Sequence, residues 1–209
     1  MIGRWEQAAR YLGKPDARVE EMMRRAFDEL DRCAQPRVVQ AEVSCTVQGE
    51  DTIVDGCPLH SRNLAQLMKH SQRAIVYAAT LGVQADRLIA RAQVTDMAYA
   101  LVLQACAAAM VEEAAEEKLH MAEQKLMQQG LHLTPSYAPG YGDLSLDENE
   151  TLLRITNAAK AIGVVRTAAG MLAPTKSMAA LCGITDAPCK PYASKCARCS
   201  MTNCLYRKE

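Results

Sequence analysis

Aromatic side chains are scarce: one Trp, one Phe and seven Tyr, 4% of 209 residues. The core must be packed from Ala, Val, Leu, Ile and Met, which suits close helix packing and leaves little ring surface for stacking bases. An excess of charge of either sign is also missing, with 24 basic and 24 acidic residues. That balance excludes a strongly basic nucleic-acid binder and an acidic-tail protein as readings of the whole chain. With 11 Gly, 8 Pro and 49% apolar residues, the chain is globular rather than low-complexity. Long hydrophobic runs are absent too. The longest uncharged stretch, Met97 to Val111, has 15 residues, against the roughly 20 needed to span a bilayer; it reads as a buried helix. The first ten residues hold Arg4, Glu6 and Arg10 and no apolar leader segment. No internal repeat is present. The expectation is one cytoplasmic domain with a small appendage, binding neither nucleic acid nor membrane.

What the chain has in excess is cysteine, nine in all. Cytosolic thiols stay reduced, so clustered Cys points to metal or redox chemistry rather than a disulfide frame. Five of the nine lie between Cys182 and Cys204, and Cys189, Cys196, Cys199 and Cys204 follow C-x6-C-x2-C-x4-C. Four thiolates can close a tetrahedral zinc site or hold an iron–sulfur cluster. The spacing fits neither a bacterial ferredoxin run nor a standard zinc finger, so both stay open, as do inert or redox thiols, with Cys182 as a spare ligand. Lys190, Lys195, Arg198, Arg207 and Lys208, with Tyr192 and Tyr206, would suit an RNA-binding knuckle, but no basic face elsewhere supports one. Cys33, Cys45, Cys57 and Cys106 are scattered and read as small buried hydrophobes.

Periodicity gives an α+β chain: one helix-rich domain with a small antiparallel sheet over 1–185, then a Cys-rich tail over 186–209. Helices are expected over Trp5 to Leu12, from Asp16 to about Cys33, Ser61 to His70, Gln84 to Ala92 and Thr95 to about Gln129. Asp147-Glu148-Asn149-Glu150 reads as a capping box opening one helix to Ile162, closed by Gly163. Strands are expected over Val38 to Val47, Thr52 to Val54, Ala74 to Thr80, Val164 to Ala168 and Ser177 to Cys182. Leu131 to Ser145 is a loop. Strands and helices mix without a regular βαβ rhythm, which favours α+β over a doubly wound sheet.

Two further patterns carry chemistry. Glu113, Glu117 and His120 share one helical face. The E-x-x-H within that set occurs twice in di-iron bundles; no second copy exists here, so a solvated charged face is the plain reading. In Tyr137-Ala138-Pro139-Gly140-Tyr141-Gly142, Pro fixes one φ, Gly permits close backbone approach to a ligand, and Tyr supplies flat faces and hydroxyls.

The helix bearing Glu113-x-x-x-Glu117-x-Leu119-His120, followed by the Ala138-Pro139-Gly140-Tyr141 loop, resembles the reactivation domain of cobalamin (vitamin B12)-dependent methionine synthase. Ile162-Gly163 and Met171-Leu172-Ala173-Pro174-Thr175-Lys176-Ser177 continue the likeness. Tyr11-Leu12-Gly13, Ala79-Thr80-Leu81-Gly82 and the tail Cys196, Cys199, Cys204 and Arg207 are similar to small stand-alone relatives of that domain. The resemblance spans nearly the whole chain. It implies a domain that binds S-adenosylmethionine and docks on a corrinoid protein or shortened methionine synthase. One electron and a methyl group then restore the partner's oxidised cofactor, making the chain a component of methyltransferase reactivation in methionine biosynthesis. Glu113 stands at the family's ligand-contacting glutamate, and Ala138, Gly140 and Tyr141 at its loop contacts. A tail iron–sulfur cluster would act as electron donor. No Asp-x-His-x-x-Gly loop occurs, so cobalamin would belong only to the partner.

One position departs from the family. Its loop opens with an arginine for the ligand carboxylate, and here Ser136 stands there. Losing a bidentate charged contact costs roughly 1.5–3 kcal/mol, about 10- to 150-fold in affinity. Arg154 or Arg166 would have to reach in instead, and the family's upstream aspartate has no counterpart. The alternative implied is a non-catalytic adaptor for corrinoid proteins, with a structural zinc tail and no S-adenosylmethionine binding.

Overall fold

The computed structural model describes residues 3–13 and 15–186. The chain opens with two helices, α1 (Arg4–Leu12) and α2 (Ala17–Cys33). Gly13 ends α1 in the left-handed region, and the Asp16 side chain caps α2 by accepting from Val19 N. A meander follows: β1 (Arg37–Gln48), β2 (Asp51–Val54) and β3 (Cys57–His60). Ser61 caps α3 (Arg62–Met68), which leads into β4 (Arg73–Thr80). Then come α4 (Val83–Thr95) and the long α5 (Met97–Met127), whose first turn is capped by Asp96 accepting from Tyr99 N at 3.0 Å. The remainder is β5 (His132–Leu133), a 3-10 turn at Leu146–Glu148, α6 (Asn149–Ile155), α7 (Ala158–Ile162), β6 (Val165–Arg166), β7 (Leu172–Ala173) and β8 (Ser177–Thr185).

Six strands form one antiparallel sheet in the order β3-β2-β1-β4-β8-β5, and β6 with β7 make a separate two-stranded ribbon. The sheet has helices on both faces. β4 is central and alternates between them. Tyr77 and Ala79 face Phe27, Leu30, Leu88 and Leu103 of α2, α4 and α5. Ala74, Val76 and Ala78 face Leu64, Met68, Leu152 and Ile162 of α3, α6 and α7. The apolar half of α5 lies under α1, α2 and α4. By length and composition α5 is long and apolar enough to cross a bilayer, but half of that stretch is buried inside the fold, as in the core helix of a packed domain.

The α+β architecture with an antiparallel sheet is as the sequence predicts. Several details differ. The second strand continues into a hairpin, because Asp55 and Gly56 both take positive φ (51° and 74°), the geometry of a two-residue primed turn. Pro58 argues against a strand, yet β3 is an edge strand, where Pro is tolerated. The single helix expected to Ile162 is two helices. Thr156 Oγ1 donates back to the Leu152 carbonyl at 2.9 Å and Asn157 turns to φ 51°, which breaks the helical path. The cap before it is Ser145, which accepts from Asp147 N, rather than a box opened by Asp147.

The cysteines also sort differently. Cys182 is no spare for the tail: it sits in β8, 1% exposed, with Sγ 3.8 Å from the Ile75 carbonyl. Burial pushes its thiol up to about 12. Cys45 and Cys106 are buried, whereas Cys33 and Cys57 are half-buried. The tail ligand set Cys189, Cys196, Cys199 and Cys204 lies outside the described residues.

Candidate functional site

The stretch after α5 looks like a loop because Pro135 interrupts it, yet it is tied to the sheet. His132 and Leu133 pair with Thr185 and Ile184 of β8. Thr134 N donates to the Gly183 carbonyl at 2.9 Å, and Gly183 N donates to Thr134 Oγ1 at 2.8 Å. After Pro135, Tyr137 and Leu181 exchange both backbone bonds, at 2.8 and 2.9 Å. Segment 132–137 is therefore a broken edge strand on β8, and strand alternation decides where its side chains go. Tyr137 enters the core on the α3/α6 face. Ala138 packs on the α5 face, and the Ser136 side chain is hydrogen-bonded to Tyr77 there.

The candidate loop turns tightly just beyond. Tyr141 N donates to the Ala138 carbonyl at 3.0 Å, and Gly140 N to the Leu144 carbonyl at 2.9 Å. The buried Tyr137 hydroxyl donates to the Tyr141 carbonyl at 3.0 Å, and the two rings meet edge to face at 6.1 Å. Gly142, at φ +54°, passes so close to Tyr137 and Asn63 that a Cβ there would lie 2.7 Å from Asn63 Nδ2. Asp143 then clamps the loop to the start of α3. Its carboxylate accepts from the Ser61 hydroxyl, from Arg62 N at 2.9 Å and, less closely, from Asn63 N at 3.4 Å. Burial alone would raise this carboxyl; the Ser61 hydroxyl and the backbone N–H groups outweigh it and hold the group below its usual 3.8.

Across from the loop stands the middle of α5. Glu112 accepts from the Tyr11 hydroxyl and from Gln7 Nε2 at 2.9 Å, both on α1. Burial, then the nearby Glu112 carboxylate, raises the Tyr141 hydroxyl. Burial and the Glu112 bond also push Tyr11 up, so both phenols stay neutral. One turn further along α5, Glu116 lies within electrostatic reach of Tyr77, whose hydroxyl is also raised, chiefly by burial. The candidate site is thus the face where the loop packs on α5, with Tyr77 buried beneath Ser136 and with Glu112 bonded to α1.

Of the sequence candidates, Ala138, Gly140 and Tyr141 form one turn. Glu113 does not share the Glu112 surroundings. It accepts from Arg4 N at 3.3 Å and pairs with Arg4 Nε at 3.8 Å, turned toward the start of α1. Glu117 and His120 are exposed, and His120 Nε2 meets the Gln124 amide at 3.0 Å. The two arginines considered as substitutes are engaged elsewhere: Arg154 with Cys57 Sγ at 3.0 Å, and Arg166 with Asp147 and Glu150. Among the described residues, no group of three or more His, Cys, Asp or Glu side chains is placed to hold a metal ion. Sequence reasoning missed Gln7, Tyr11, Glu112 and Asp143. Only Tyr11 carried a signal, through its Tyr-Leu-Gly motif.

No protein-family model matches the chain, and no curated protein matches it. Solved structures do: 13 chains match. One is the crystal structure of the MetH reactivation domain bound to AdoHcy, with a TM-score of 0.62 at 16% identity. The match covers 85% of this chain and 69% of that chain. At this identity the likeness is one of fold, and it is the fold that the Glu113 helix and the Ala138-Pro139-Gly140-Tyr141 loop imply.

The Asp143 clamp has a pH signature. Its carboxyl is lowered in the fold, so its stabilisation is complete above the unfolded value and is lost as pH falls through the folded one. Loop docking should weaken below about pH 3.8. Asp143→Ala should cost about 0.5–1 kcal/mol at neutral pH and flatten that acid limb. Urea unfolding of both proteins across pH 3 to 7 reads the difference; parallel pH profiles would remove the clamp.

Proposed function

We propose that the face formed by α5 and loop 137–144 binds S-adenosylmethionine, and that the protein docks on a corrinoid protein or shortened methionine synthase to support reductive remethylation of its cob(II)alamin. The observation that carries this is the tight turn of Ala138, Gly140 and Tyr141, fixed against α5 in the fold of a domain solved with AdoHcy. Backbone groups of Ala138 and Gly140 would orient the ligand, the Tyr141 ring would cover it, and Glu113 would accept from a ligand donor at the edge facing α1. The protein positions a methyl donor over a cofactor held by its partner. The transferred methyl comes from the sulfonium, and one electron reduces the oxidised cobalt.

The tail would supply that electron. An iron–sulfur cluster on Cys189, Cys196, Cys199 and Cys204 would make a separate donor protein unnecessary. A zinc ion on the same four thiolates would be a structural staple with no redox role. Iron and acid-labile sulfide in a brown anaerobic preparation support the cluster. A colourless protein with stoichiometric zinc overturns it.

A second reading rests on Ser136. Its side chain is taken up by Tyr77 and presents no cation to a ligand carboxylate. A chain that keeps the fold and docks corrinoid proteins without binding S-adenosylmethionine would be an adaptor. Calorimetry separates the two. Heat on titration at sub-millimolar ligand supports the methyl-donor site, and its absence at millimolar ligand leaves the adaptor. If the pocket is intact, Ser136→Arg should tighten binding by about 10- to 150-fold; an unchanged affinity would place the ligand elsewhere.

A further inference from the structure

The outer side of α4 differs from the other helical surfaces in how its charge is matched. On α1 and α2, arginines find carboxylates along their own helix: Arg10 pairs with Glu6, Arg24 with Glu20 and Glu21, and Arg25 with Glu29. α4 has the opposite pattern. Arg87 and Arg91 lie one turn apart on its exposed side, and among the described residues neither has an ion pair. No residue three or four positions from either is acidic. The one carboxylate in α4, Asp86, is taken by Thr175, accepting from its N at 2.7 Å and its Oγ1 at 2.6 Å. Like charges one turn apart repel, and a carboxylate brought between them relieves the repulsion.

The same side of α4 has the shape and the apolar surface of a docking face. An open groove of about 460 Å³ runs along it, lined by Gln84, Arg87, Ala90 and Arg91. Ala90, between the two arginines, lets another backbone come close. Val83, Ala90 and Val94 share the exposed stripe with Arg87, at helical spacing. Val94 is 88% exposed, and beyond it, where α4 turns into α5, Met97 and Leu101 are also exposed. Apolar side chains gathered in this way mark an interaction site. An apolar seam flanked by unmatched cations is complementary to an amphipathic helix with carboxylates beside its own seam.

We infer that the outer face of α4, with the first turn of α5, docks a partner protein through an acidic amphipathic helix. Arg87 and Arg91 receive its carboxylates, and Val83, Ala90, Val94, Met97 and Leu101 its apolar side chains. This goes beyond the S-adenosylmethionine reading and does not rest on it, since Leu101 lies about 18 Å along α5 from Glu113. A second copy docking on this face about a two-fold axis would set the arginine pair against its own image. Nucleic acid fits less well: the face offers two arginines and no aromatic ring, and its apolar side chains would gain nothing from a phosphate backbone.

The test is fluorescence anisotropy of the full chain with two labelled helical peptides of equal length. One carries a leucine seam flanked by glutamates four residues apart; in the other every glutamate is replaced by lysine. The wild type should bind the glutamate peptide about tenfold tighter or more. That preference should shrink as salt is added, a readout that needs no variant. Arg87→Glu combined with Arg91→Glu should reverse the preference. Val94→Ser should weaken the glutamate peptide on the wild-type background by about 5- to 10-fold. All three side chains are exposed, so the fold does not depend on them. Equal binding of the two peptides, a preference that survives the double reversal, or no binding at millimolar peptide would overturn the inference. Self-association of the wild type that the double reversal abolishes would make the occupant a second copy and overturn it too, as would tighter binding of single-stranded RNA than of either peptide. None of these results bears on S-adenosylmethionine binding, so the two readings fail separately.

Discussion

The placement of the site depends on the backbone pairing of segment 132–137 with β8. That pairing fixes which side of the sheet each loop residue occupies. Tyr137 is driven into the α3/α6 core, while Ser136 and Ala138 point the other way, toward α5. A one-residue slip would exchange the faces and take Ala138 and Ser136 away from α5. Such slips are blocked at both ends. The reciprocal Thr134–Gly183 bonds hold one end, and the Asp143 clamp on α3 holds the other. Between them the Tyr137 hydroxyl reaches up to hold the Tyr141 carbonyl, so the buried side of the loop supports its exposed side.

α5 supplies the opposing wall, and its two halves do different work. The apolar half is locked among α1, α2 and α4, which fixes the rotation of the helix about its axis. The charged half inherits that rotation. Glu112 therefore meets Tyr11 and Gln7 of α1, and Glu113 meets Arg4. Few aromatic residues are needed for such a site when several of the tyrosines gather near it. The core is filled by Ala, Leu, Val and Met, and four of the seven tyrosines, Tyr11, Tyr77, Tyr137 and Tyr141, belong to this region.

Local signals in the sequence proved informative wherever a cap or a periodic face set the structure. Asp16 and Ser61 start their helices, Gly13 and Gly130 mark helix ends, and the alternation of Val38 to Val47 is a strand, whereas the long helix starts after Asp96 and Thr95, its expected first residue, ends α4. The motif pair on α5 and the 138–141 turn pointed to the right fold. Long-range pairing was not legible. Pro58 hid β3 and Pro135 hid the edge segment, because a break in local pattern says nothing about a partner across the sheet. Asn157, an ordinary residue in a helical stretch, gave no warning that it would turn left-handed. The different partners of Glu112 and Glu113 were equally hidden, since adjacent helical residues differ by about 100° in direction and only the packing of α1 gives one Tyr11 and Gln7 and the other Arg4.

The central proposal is that S-adenosylmethionine binds where α5 meets the loop tied to β8. Hydrogen exchange of the intact protein with and without S-adenosylmethionine tests it directly. The account predicts added protection in two segments separated in sequence, about 108–120 and 136–144, with the amides of α6 and α7 unchanged. Protection confined to other segments, or none at saturating ligand, would contradict it.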